Sequence, residues 1–125
     1  MQIQTLQCSN VAPSSSPLVQ GVIYGGLIFL SGQLGKNPQT GKLESGFEAE
    51  TSRVLENLKL LLEEAGSSMD KVLKVTVFLT DLSKMEIFNR VYRSFFPNRL
   101  PARSCVSVAA LAGGATVEIE LVAAL

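Results

Sequence analysis

The sequence predicts a single α+β domain of element order β-β-α-β-α-β-β, with one mixed sheet and two helices on one of its faces. Three observations predict it. Residues 47–65 repeat apolar or small side chains at helical spacing, residues 74–80 alternate as a strand does, and two glycines separate two β-rich runs near residue 25. A chain of 125 residues holds one domain with a substantial core and leaves no room for a second.

Each element has its own warrant. Residues up to 16 are polar, with Pro13 and the run Ser14-Ser15-Ser16, which suits a short strand followed by a loop. Runs 20–24 and 27–33 are joined by Gly25-Gly26, and both positions of a tight hairpin turn require positive φ. Residues 37–42 read as a turn. In 47–65 the inward set is Thr51, Val54, Leu55, Leu58, Leu61, Leu62 and Ala65, and Gly66 follows where a left-handed cap belongs. The strand 74–80 places Val75, Val77 and Leu79 on one side, Phe78 and two threonines on the other. Ser83 and Glu86 predict a capping box for a second helix, with Ile87, Val91 and Phe95 inward and Pro97 as its stop. A hairpin of 103–108 and 117–121, turned at Gly113-Gly114, closes the domain. Both helices are long enough to cross over between neighbouring parallel strands.

Two helices cover only one face of such a sheet. Yet Leu27 and Phe29 alternate with Ile28 and Leu30, so that strand is apolar on both sides. The second face must be buried elsewhere, and another subunit is the economical cover. The pattern predicts an oligomer without fixing the number of copies.

Composition excludes several function classes. Lys plus Arg and Asp plus Glu are 11 each, so no basic surplus marks a nucleic-acid footprint and no nucleic-acid partner is expected. Histidine is absent, which removes the usual general base; with two distant cysteines, Cys8 and Cys105, it also removes an ordinary zinc site. Two separated thiols fit a reducing compartment. Apolar runs are short and broken by glycine, so no membrane association is expected. The first residues resemble neither a secretory signal nor a mitochondrial presequence. The expectation is a cytoplasmic protein, or a mitochondrial one had a presequence been removed.

The chemistry is concentrated near the end of the chain. In Pro101-Ala102-Arg103-Ser104-Cys105-Val106-Ser107-Val108, period two puts Arg103, Cys105 and Ser107 on one face. In Val117-Glu118-Ile119-Glu120 the two glutamates share a face. Paired as an antiparallel hairpin, Cys105 would oppose Glu118 and Arg103 would oppose Glu120. That patch could grip a small organic acid through the guanidinium fork and activate a water through a carboxylate. The same pattern also fits a surface Arg–Glu pair beside a buried cysteine.

This segment, with Leu30-Ser31-Gly32-Gln33, Asn37-Pro38-Gln39-Thr40-Gly41-Lys42, Val54-Leu55-Glu56-Asn57-Leu58-Lys59 and Lys74-Val75-Thr76-Val77-Phe78-Leu79, resembles the Rid (RidA/YjgF) family of reactive-intermediate deaminases. The resemblance runs from about residue 10 to the last residue without a large insertion. It implies a chorismate-mutase-like α+β fold, a homotrimer, and active sites in the clefts between subunits. It implies no cofactor. The activity implied is hydrolysis of 2-imino acids or their enamine tautomers, such as 2-iminobutanoate and 2-iminopropanoate, to 2-oxo acids and ammonia.

By the same resemblance Arg103 binds the substrate carboxylate and Glu118 holds the attacking water. Cys105 lines the pocket, Ser31 and Gly32 lie near the ligand, and Asn89 lines the pocket from the second helix. Leu18 stands where family members with this activity carry a tyrosine, and Ala112 where a proline is common. The missing tyrosine keeps a non-catalytic carboxylate-binding or chaperone-like module in play. A ribonuclease, proposed for some relatives, is disfavoured by the missing histidine and basic stripe.

Overall fold

A six-stranded sheet organises the chain, as seen in a computed structural model that describes residues 2–125. The elements run β1 (Gln4–Leu6), β2 (Gly21–Tyr24), β3 (Leu27–Leu34), α1 (Phe47–Glu64), β4 (Val72–Leu79), α2 (Met85–Ser94), β5 (Ala102–Ser107) and β6 (Val117–Ala124). The strand order is β1-β2-β3-β6-β4-β5, with β4–β5 the one parallel pair. Both helices pack on the same face, as expected.

Local signals explain the connections. Gly25 and Gly26 take φ of 61° and 80°, the doubly left-handed turn that matches strand twist. Asn37 closes its turn with its side-chain oxygen, which accepts from the Gln39 amide at 2.8 Å. Helix α1 ends at Gly66, φ 85°, where the Ser67 amide reaches back to the Leu62 carbonyl at 2.8 Å. The face of α1 built from Thr51, Val54, Leu55, Leu58, Leu61 and Leu62 is fully buried on the sheet.

Three expectations are corrected. The terminal strands do not form a hairpin. Strand β5 follows α2 as a crossover to lie parallel to β4, and β6 inserts between β3 and β4, antiparallel to both. Burial explains the choice. Val117, Ile119, Leu121 and Ala123 are all buried, so β6 belongs at the centre, whereas the polar run of β5 suits an edge.

The start of α2 is not a Ser83–Glu86 capping box. Asp81 accepts from the Ser83 amide at 2.9 Å, and a single tight turn, Leu82–Lys84, leads into the helix. The Ser83 hydroxyl first, and then its amide, hold the Asp81 carboxyl below its ordinary value. The inward face of α2 is Phe88, Tyr92 and, just past the helix, Phe96; Ile87, Val91 and Phe95 are half-buried beside it. The two stripes share the same four-residue spacing, and the one with the larger rings wins the core. Phe88 stacks on Tyr92 at 5.6 Å between centroids, and Tyr92 meets Phe96 at 4.7 Å with the rings tilted by 40°.

The uncovered face of the sheet carries an apolar cluster towards each end, divided by the polar row Ser104, Thr76 and Glu120. Phe29 and Val106 are 43% and 44% exposed there, with Val122 half-buried beside Phe29 and Phe78 half-buried beside Val106. Among the described residues, no helix is long and apolar enough to cross a membrane.

Candidate active site

Strand alternation and sheet order decide where the chemistry lies. Arg103 and Cys105 are opposite Val75 and Val77, whose side chains are buried beneath the helices. Glu118 and Glu120 are opposite Phe78 and Thr76 and point to the uncovered face. Arginine and glutamates are therefore separated by β4 and lie on opposite faces of one protomer. The expected pairs, Cys105 with Glu118 and Arg103 with Glu120, do not form. The site residues divide into two half-sites.

The first half-site belongs to the edge strand and α2. The Arg103 Cζ lies 4.8 Å from the Tyr92 ring centroid and 5.5 Å from that of Phe88, so the guanidinium is stacked on aromatic faces. Its one recorded polar contact is to the Met85 sulfur, at 3.9 Å. Among the described residues the ion pairs are Arg53–Glu44 and Arg90–Glu48, so Arg103 has no carboxylate partner. A rigid, half-buried fork held by rings and left without an anion is suited to receive one.

Asn89, one turn before Arg93 on α2, lines the same pocket of about 210 Å³. Its side-chain oxygen is buried without a partner, and so is the Tyr92 hydroxyl. Burial pushes the Tyr92 phenol up to about 12, against the pull of Arg103, so the ring stays neutral. Cys105 is half-buried, and burial raises its thiol too, with Arg103 opposing. It remains a thiol at neutral pH and is not an activated nucleophile.

The second half-site surrounds a bulge in β3. Registration with β6 slips between Leu30 and Gln33, so Ser31 and Gly32 form an irregularity over Glu118. A methyl group on Gly32 would meet the Glu118 carboxylate, with its Cδ at 2.9 Å, so a larger residue there would displace that side chain. Ser31 is not a free hydroxyl. Its Oγ donates to the Val19 carbonyl at 2.7 Å, and its amide donates to the Gln20 carbonyl at 2.9 Å. Ser31 thus pins the loop carrying Leu18 against the sheet. Leu18, Gly32 and Glu118 then line one pocket of about 200 Å³, with Ala112 at its rim. Burial raises the Glu118 carboxyl above its ordinary 4.5, and the neighbouring charge of Glu120 raises it further.

The structure therefore brings Arg103, Cys105 and Asn89 together, and separately Leu18, Ser31, Gly32 and Glu118. Sequence reasoning missed Tyr92, Phe88 and Met85 as the bed of Arg103. Two aromatics four apart on a crossover helix, followed by a strand carrying an unpaired arginine, were the available signal. Among the described residues, no cluster of three His, Cys, Asp or Glu has metal-binding geometry.

Fold and pockets together define a small α+β domain that presents an anion-free guanidinium on its edge strand and a carboxylate over a sheet bulge. Residues 9–125 match the profile of the endoribonuclease L-PSP family, and the chain belongs to that family, which includes the RidA/YjgF proteins. It is 37% identical over 123 residues to an Escherichia coli protein named 2-iminobutanoate/2-iminopropanoate deaminase, covering 96% of each chain. It superposes on RidA from the Antarctic bacterium Psychrobacter with a TM-score of 0.95 at 39% identity, covering 98% of this chain and 99% of that one. Escherichia coli TdcF with bound serine superposes with a TM-score of 0.94 at 36% identity, covering 98% of each.

Proposed function

We propose that this chain hydrolyses short-lived 2-imino acids and their enamine tautomers to 2-oxo acids and ammonia, at sites completed between copies in a homotrimer. The carrying observation is Arg103, a stacked guanidinium without a carboxylate partner. Support also comes from the deaminase named among its relatives and from a neighbour that holds serine, an amino acid with the same carboxylate end.

In this reading Arg103 grips the substrate carboxylate by two parallel hydrogen bonds, and backbone groups beside Cys105 receive the imine nitrogen. Glu118 accepts a proton from water as the oxygen adds to the imine carbon. It passes that proton to nitrogen to give a carbinolamine, then takes the carbinolamine hydroxyl proton and delivers it to nitrogen as the C–N bond breaks, leaving a carbonyl and ammonia. The raised Glu118 carboxyl suits this two-way role, since a group nearer neutrality both takes and gives a proton. The substrate is already electrophilic, so positioning and one oriented water supply most of what is needed.

Assembly follows from the division of the site. Within one protomer Arg103 and Glu118 face away from each other, so a second copy must bring its Glu118 pocket to the β5 edge. The two apolar clusters of the open face, Phe29 with Val122 and Phe78 with Val106, supply adhesive surface. Light scattering at micromolar concentration is expected to give three times the chain mass of 13.4 kDa. A monomer would remove the shared site.

The test of activity uses a dehydratase to generate 2-iminobutanoate and semicarbazide to trap what the protein fails to hydrolyse. Suppressed trapping is expected; trapping as fast as in a protein-free control overturns the reading. One observation favours a second reading: Leu18 is 47% exposed in the Glu118 pocket and offers no hydroxyl to a ligand. A binder without turnover would show heat with 2-oxobutanoate in calorimetry and no protection from trapping. The ribonuclease reading carried by the family description finds little support in a chain with balanced charge and no histidine.

Leu18→Tyr is expected to raise turnover on small imino acids by roughly several-fold, the worth of one added hydrogen bond of about 1 kcal/mol. Initial rates on 2-iminopropanoate and 2-iminobutanoate check it. Rates equal to the parent on both would mean that position 18 does not reach the bound substrate.

A further inference from the structure

The pocket beside Arg103 contains a second arginine that the imine reading leaves unused. Arg93 lines the same volume of about 210 Å³ as Arg103, together with Asn89, Tyr92, Leu100 and Pro101. It lies four residues after Asn89 on α2, so the two side chains rise from the same helix face, one turn apart. Arg93 has no ion-pair partner among the described residues.

The surrounding charges leave it free. Arg90, on the adjoining surface, is taken by Glu48. Glu86 lines the open hollow shared by Asn89, Arg90 and Arg93, but forms no ion pair with either arginine. Two guanidinium groups thus border one small pocket, and no carboxylate is among the residues lining it. Two of the residues lining it also carry buried polar atoms without partners, the Asn89 side-chain oxygen and the Tyr92 hydroxyl. A buried group left unpaired is costly, and a polar ligand atom is one partner that would offset it. A purely aliphatic substrate tail would leave both unsatisfied. The volume equals several waters at about 30 Å³ each, enough for the distal part of a four- or five-carbon acid.

We propose that the pocket selects dicarboxylic 2-imino acids, with Arg103 holding the carboxylate next to the imine and Arg93 the carboxylate at the far end. This rests on the imine-hydrolysis reading above and specifies its substrate class. Asn89 and Tyr92 hydrogen-bond the distal carboxyl group, the phenol as donor and the amide by its NH2 once the side chain is turned. Arg93 is exposed and reaches its anion from the rim, so its contribution is one of selectivity, while Arg103 anchors every substrate.

The experiment generates 2-iminosuccinate, 2-iminoglutarate and 2-iminobutanoate in place, by oxidising the matching amino acids with amino-acid oxidases, and traps residual imine with semicarbazide. The ratio of kcat/KM for a diacid over the monoacid is expected to exceed unity. It should fall about five- to tenfold in Arg93→Gln and further in Arg93→Glu, with the change mostly in KM. Calorimetry with 2-oxoglutarate and 2-oxobutanoate should show the same order of affinities and the same loss. A ratio below unity in the parent, or one unchanged in both variants, overturns the proposal. The underlying reading fails separately: if Arg103→Ala retains full turnover on all three imines, the arginine anchor itself is wrong.

Discussion

Arg103→Ala is expected to lower imine hydrolysis by more than about 100-fold while the domain stays folded. The guanidinium sits on the rings of Tyr92 and Phe88 and holds no internal carboxylate, so its removal breaks no ion pair of the fold. What is lost is a charge-assisted fork on the substrate, and truncating one side of such a desolvated pair costs about 3 kcal/mol. Arg103→Lys should fail nearly as badly, because an ammonium offers neither the planar fork nor the stacking. Circular dichroism and the trapping assay together check this. Parent-like rates in either variant would show that the carboxylate is held elsewhere.

Glu118→Gln should leave 2-oxo acid binding nearly intact and lower turnover by about 100-fold, since the amide keeps the shape and loses the proton acceptor. Glu120→Gln should do much less to the rate. It should, however, shift the pH profile, because the Glu120 charge is part of what raises the Glu118 carboxyl. A base works deprotonated, so kcat/KM should rise with pH through a midpoint above 4.5, and that midpoint should fall in Glu120→Gln. For stability the sign is opposite. A carboxyl raised on folding binds its proton more tightly in the native state, so its contribution is full in acid and declines as pH rises through that range. Equal losses of turnover in the two variants would mean that the roles of the glutamates are exchanged.

What could be read from the sequence was local. The stripe of α1, the Gly25-Gly26 turn, the Asn37 turn and the Gly66 cap each depend on residues within a few positions, and each stands as expected. The face of α2 was less legible because Ile87-Val91-Phe95 and Phe88-Tyr92-Phe96 carry the same spacing, and only packing against β4 and β5 separates them. Strand order was the main thing hidden. A turn of two glycines near residue 113 fits a hairpin, and nothing nearby says that β6 passes β4 to lie against β3. Arg103 and Glu118 could be named from motifs, but their separation onto opposite faces depends on that non-local choice. So does the proposal that two copies share one site.

The central place of β6 also sets how the domain comes into being. Strands β1 to β3 can meet early, and β4 can meet β5 through α2, but these two sheets remain apart until β6 arrives. Its contacts with β3 span about ninety residues of chain, as Leu30 with Leu121 illustrates. Closing such loops is slow, and the exposed rims of β3 and β4 are adhesive while they wait. The domain should therefore refold in milliseconds to seconds, limited by one step, with Ile119→Val slowing refolding less than it speeds unfolding. Stopped-flow refolding tests this. A variant that slows refolding by the full loss of stability would place β6 inside the nucleus, and the two halves would then have been joined from the outset.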